Sequence, residues 1–133
     1  MGRESKSVCE DFQNEIPTVL ARHKSILDIM SKLDEYSARI NRAVAKSVTE
    51  CGCISINASK QDLGNDTLQA MLDKAKSHVE GDLCENCSDV LDVEIGTHLF
   101  YIASLCQTLD LDFHSIIEKE YDRIKTLGLY SLK

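Results

Sequence analysis

Tryptophan is absent from these 133 residues, proline occurs once, glycine six times, and aromatic residues make up only 5%. A many-turned sheet protein needs frequent turn residues and aromatic strands, so these shortages favour a helical fold. Also missing is any run of 18 apolar residues, the minimum for a helix that spans a bilayer. The first segment, "MGRESKSVCEDF", has no apolar stretch after its charges, as a secretory signal would, and carries Lys6 where a myristoylation signal wants Ser or Thr. The expectation is a cytoplasmic protein with no membrane partner.

Positive charge is in short supply as well. The net charge is −7, and a nucleic-acid partner is not expected, because phosphate binding needs a basic footprint. Residues 1–66 hold 9 Lys+Arg against 10 Asp+Glu and residues 67–133 hold 6 against 12, so the halves carry −1 and −6 and the second is the one that draws cations. No G-x-x-x-x-G-K-[ST], G-x-G-x-x-G or G-x-S-x-G occurs, which removes the common phosphate-loop and nucleophile-elbow chemistries. Repeats and low-complexity tracts are absent too.

What is present suits a folded chain: 43% hydrophobic and 28% charged residues, in a length that fits one domain, residues 1–133. Six cysteines stand out. In a reducing compartment disulfides are mostly transient, and thiolates stay available for metal. Cys51 and Cys53 form C-x-C, and Cys84 and Cys87 form C-x-x-C. Together they can close a tetrahedral structural Zn²⁺ site, with Gly52 and the Gly81-Asp82 turn supplying backbone freedom. Redox-active or simply buried thiols are the other readings. Such a centre would pin the loop after a long helix to the start of another, offsetting loop-closure entropy. Cys9 and Cys106 read as small core residues, and His78 as a solvated helix-end residue or a substitute ligand.

Apolar periodicity places a bent or restarted helix over 8–23, with Pro17 near its bend, and a helix of about 27 residues over 24–50, roughly 40 Å long. A loop or short extended piece follows to residue 66, then a short helix from Asp66 or Thr67 to Val79. The stretch 88–109 is apolar around much of its circumference and should be a central or interface helix. Asp112 caps a last helix over 113–126, with Phe113, Ile116, Ile117, Tyr121 and Ile124 turned inward and Gly128 past its end. The fold class is all-α, a bundle of four to five helices.

"EIGTHLFYIASLCQTLDLDFHSIIEKE" resembles the last two helices of MazG-type all-α nucleoside triphosphate pyrophosphohydrolases, whose E-x-x-D lies in a phrase like EELGDVLFYLLALA. "KLDEYSARINRAV" resembles that family's E-E-x-x-E helix. The two stretches cover about 40 residues. Nearly the whole chain is similar to a cysteine-containing MazG-like family of spore-forming Firmicutes, which brings no known activity with it. The resemblance implies a MazG-like fold completed by a second copy, as a homodimer or homotetramer. It also implies a site in which four carboxylates hold Mg²⁺ against a nucleotide's phosphates.

In this chain Glu35 and Glu94 fall on two of those carboxylates, while Tyr36, Arg39 and Thr97 fall on the other motif positions. Arg39 puts a cation where a cation would bind. It can pair with Glu35 or Glu94, or bind a phosphate directly. His98, four residues after Glu94, can form a Glu-x-x-x-His metal pair or a hydrogen bond to Glu94. Glu85, Asp89 and Asp92 share one helical face and read as a solvated stripe that could rebuild a metal cluster; Asn57, Lys60, Arg123 and Lys125 read as surface residues able to meet phosphate. Two functions follow from the resemblance: a binding or assembly protein, with nucleotide as a ligand, whose magnesium site has degenerated, or an active pyrophosphohydrolase releasing pyrophosphate with Mg²⁺.

Overall fold

The computed structural model describes residues 5–64 and 67–128. In chain order they form α1 (Ser5–Val19), α2 (Ile26–Lys46), a π-helical turn (Ser47–Cys51), β1 (Ile54–Ile56), α3 (Leu68–Lys74), β2 (Val79–Gly81), α4 (Glu85–Thr108) and α5 (Phe113–Leu127). Among the described residues the fold is mostly helical, as the composition implies, with one two-stranded sheet that the periodicity does not announce. Among the described residues no helix is long and apolar enough to cross a membrane. The alternative cap Asp66 and the first four residues of the N-terminal motif lie outside the described residues.

Contacts divide the chain into two compact units, residues 1–39 with 93–133, and residues 40–92. In the first, Ile16, Ala103, Cys106 and Phe113 form a buried core, surrounded by Cys9, Phe12, Leu20, Phe100 and Ile102. Both lone cysteines are therefore packing residues, as expected. The Phe12 and Phe113 rings lie 5.9 Å apart and fasten α1 to α5. Gln13 secures the α4–α5 connection through its side-chain amide. Its Nε2 donates to Leu111 O at 2.7 Å and its Oε1 accepts from Phe113 N at 2.8 Å, so one side chain satisfies both faces of a tight reversal. Asp112 caps α5 by accepting from His114 N and Ser115 N.

Several boundaries differ from the expected ones, each for a physical reason. α1 runs through Pro17 and stops at Val19 without a restart to residue 23, since the missing proline N–H already weakens the final turn. The long helix does reach residue 51, but its last turn widens to π geometry. α3 ends at Lys74; of the segment expected to finish it as helix, 75–79, His78 turns at φ 65 and Val79 begins β2, paired with β1. On α5 only Phe113 is buried, whereas Ile116, Ile117, Tyr121 and Ile124 are exposed in the single chain. Val93, Ile95 and Leu99 of α4 are exposed too, so the apolar girth of α4 is only partly covered within one chain.

Residues 40–92 are organised around the antiparallel pair β1–β2, in register Ile54↔Gly81, Ser55↔Glu80 and Ile56↔Val79. Ile54, Cys87 and Leu91 are its buried apolar residues, and Ser47 is its buried polar one.

Candidate metal centre

The geometry begins where α2 ends. Ser47 is buried and its hydroxyl donates to Ala43 O at 2.9 Å. Its carbonyl then accepts from Gly52 N, five residues on, at 2.9 Å, which closes the π turn. Gly52 adopts φ 80, a left-handed conformation that favours glycine, and reverses the chain so that Cys51 and Cys53 both reach the same group of sulfurs. Gly81, at φ 87, is required more strictly: a Cβ there would lie 2.6 Å from Cys53 O. The hairpin delivers the chain from β2 to the start of α4, which carries the second pair.

Cys84 precedes that helix, and its carbonyl accepts from Ser88 N at 2.9 Å. Its Sγ accepts from Cys87 N at 3.4 Å, doing with sulfur what a serine or aspartate oxygen does at an ordinary N-cap. The helix start favours negative charge, so it is a good place for thiolates.

All four sulfurs lie within 4.8 Å of one another, with Cys51 Sγ and Cys84 Sγ 3.7 Å apart. Zn–S bonds of about 2.3 Å in a tetrahedron require S···S separations of about 3.8 Å, so the donor set fits zinc. Cys51 is exposed, Cys53 and Cys84 are half-buried, and Cys87 is buried. All four expected ligands are brought together, and His78 does not belong to the cluster.

Crowding splits the thiols' acidities. The Cys87 backbone N–H, helped by the neighbouring thiols, lowers Cys84 to about 7. The Ser47 hydroxyl pulls Cys87 down, but the bond to Cys84 and burial outweigh it and push Cys87 up to about 12. Cys51 is raised as well, the Cys84 thiol and burial outweighing the Cys53 backbone N–H. Cys84 thus ionises most readily, while the protons on Cys51 and Cys87 are held until a cation replaces them.

The second expected site lies in the other unit. Arg39 Nε meets Glu94 Oε2 at 2.6 Å and its NH2 meets Glu94 Oε1 at 3.1 Å, a two-pronged pair between α2 and α4. Arg39 NH1 lies 4.0 Å from Glu35 Oε2, and Lys32 Nζ lies 3.1 Å from Glu35 Oε1. Each of the four carboxylate oxygens therefore faces a cationic side chain, and as arranged these donors do not fit a magnesium ion. The Arg39 guanidinium holds the Glu94 carboxyl below the usual carboxylate range, against the opposing effect of burial. Arg39 itself is raised by the same pair, and its guanidinium also lies 5.1 Å over the Tyr36 ring.

Thr97 donates back to Val93 O within its own helix at 2.8 Å. His98 does not make the expected hydrogen bond to Glu94: its Nδ1 is buried and has no hydrogen-bond partner, while Glu94 pairs with Arg39. Glu85, Asp89 and Asp92 are exposed, as are Asn57, Lys60, Arg123 and Lys125, which agrees with solvated faces.

Compared with protein-family models, with curated proteins and with solved structures, the chain matches none of them. The four-cysteine cluster defines a protein with a candidate metal centre on a mostly helical fold.

Proposed function

We propose that this chain is a MazG-type all-α protein in which a former Mg²⁺ site has been closed by an internal guanidinium, and that it acts as a nucleotide-binding or assembly protein held by a structural zinc. The observation that carries the reading is the two-pronged Arg39–Glu94 pair with Glu35 beside it. A guanidinium neutralises carboxylates without the open coordination positions through which a metal activates water. Supporting it, the Thr97 hydroxyl is spent on its own helix and supplies no carboxylate charge.

The test is pyrophosphate release from ribo- and deoxyribonucleoside triphosphates with Mg²⁺ or Mn²⁺, run beside Glu94→Gln. None is expected from either protein. Release that disappears in Glu94→Gln would establish an active pyrophosphohydrolase and overturn the reading.

Assembly is the other half of the proposal. Ile117, Tyr121 and Ile124 of α5, and Val93 and Leu99 of α4, present apolar side chains to water in the single chain, and apolar surface of this kind marks interaction sites when it is contiguous. A second copy in a homodimer or homotetramer, in the cytoplasm, is the partner we assign to them. Light scattering at micromolar concentration should give at least twice the chain mass of 14.9 kDa; a monomeric mass would remove this part.

A further inference from the structure

The four cysteines are unequally protected, and the inequality has a chemical direction. Cys51 is the exposed member, Cys87 is buried, and Cys53 points its sulfur at Ser47 O, 3.8 Å away. The Cys51 sulfur lies 3.7 Å from that of Cys84, which belongs to the opposite pair. Beside them lies a cavity of about 180 Å³ with Cys51 and Cys87 in its wall, together with Ala43, Val90, Lys46 and Glu50. A water molecule occupies about 30 Å³, so the cavity is large enough to admit a small hydroperoxide.

We propose that the centre is a modification site for small hydroperoxides, in which Cys51 and Cys84 are oxidised to a disulfide and the metal is released. The proposal rests on the zinc reading above. Zinc-bound sulfurs are thiolates, the form that attacks peroxide. The Cys51 sulfur attacks one peroxide oxygen; an S–O bond forms, the O–O bond breaks, and the other oxygen leaves as an anion that takes a proton from solvent. Lys46, on the cavity wall, places a positive charge near that departing anion. The Cys84 thiolate then attacks the Cys51 sulfur. The S–S bond forms, the S–O bond breaks, and hydroxide leaves and is protonated. Two thiolates have lost two electrons, and the hydroperoxide has become an alcohol, or water, plus water. Cys53 and Cys87 remain, one from each pair, and two ligands do not retain zinc against competing chelators.

The experiment uses the full zinc-loaded chain and stoichiometric hydrogen peroxide. Zinc release is followed with a chromogenic chelator, and the oxidised cysteines are located by non-reducing peptide mapping. Release of the bound zinc together with a Cys51–Cys84 linked peptide is expected, reversed by dithiothreitol and added zinc. Cys9→Ser, in the other unit, should release zinc as fast as the parent chain, and Cys51→Ser should lose the fast phase while keeping the parent's helical circular dichroism. Zinc retained after peroxide, or a disulfide that joins other cysteines, would overturn the proposal and leave the structural zinc intact. A purified chain that neither contains nor takes up zinc would overturn the zinc reading itself, and this proposal with it.

Discussion

The two candidate sites handle charge in opposite ways. In residues 40–92, four soft sulfurs from a helix end and a helix start face one another. Where α2 and α4 carry Arg39 and Glu94, hard carboxylates meet cations of their own chain. The first arrangement has room in its chemistry for an ion from outside, and its crowded Cys51 and Cys87 thiols resist ionising. The second is complete as folded. A site finished by an ion answers to metal and oxidant, whereas one finished by a guanidinium answers only to pH and to mutation.

Breaking the metal centre should have the largest effect. Cys84→Ser with Cys87→Ser removes two ligands while leaving a serine oxygen able to cap α4. The metal content measured by elemental mass spectrometry should fall from about one zinc per chain to none. The melting temperature should drop by about 10 °C or more. An unchanged metal content would show that the thiols hold no ion.

A smaller but sharper test lies in Gly81→Ala, which touches no ligand. Its Cβ must push against Cys53 O, and its backbone must keep φ 87, for a cost of about 1–3 kcal/mol. Denaturant unfolding should show that loss together with weakened zinc retention. Retention equal to the parent's would mean that the approach of β2 to Cys53 is incidental to the centre.

The smallest effect belongs to the self-neutralised pair and is visible through pH. Because the folded Glu94 carboxyl lies below its unfolded value, the pair's contribution is fully present above the ordinary carboxylate range. It is lost as pH falls through the lowered folded value. Unfolding of the parent and Glu94→Gln should differ most above about pH 5 and converge in acid. A difference that persists undiminished below about pH 3 would indicate packing as its source.

Much of this was legible in the sequence because it is local. Cysteine spacing announces the centre, apolar periodicity announces α2 and α4, and Asp112 and Gly128 bracket α5. β2 was not legible: three residues, Val79–Gly81, are too short for an alternating pattern, and "KSHVEG" continues a plausible helix. The partner of Arg39 was open because the choice between Glu35, four residues away, and Glu94, 55 away, is made by packing. Nothing in residue identity marked Gln13 as the clamp of the α4–α5 turn, or Cys84 as a cap, since each role depends on backbone groups far along the chain or on sulfur replacing oxygen. The exposed face of α5 was misread because amphipathic spacing tells which residues share a side and not what covers it.

The π turn at the end of α2 also sets an angular phase. Successive residues of an α-helix advance by about 100°, so Cys51 and Cys53 in a continuing helix would point to nearly opposite sides. Closing the turn through Ser47 O and leaving it at Gly52 resets that rotation within two residues. The tight C-x-C spacing is thus a screw setting. One residue removed between Ser47 and Cys51 would leave every sulfur in the chain, yet turn Cys51 out of register with the other three.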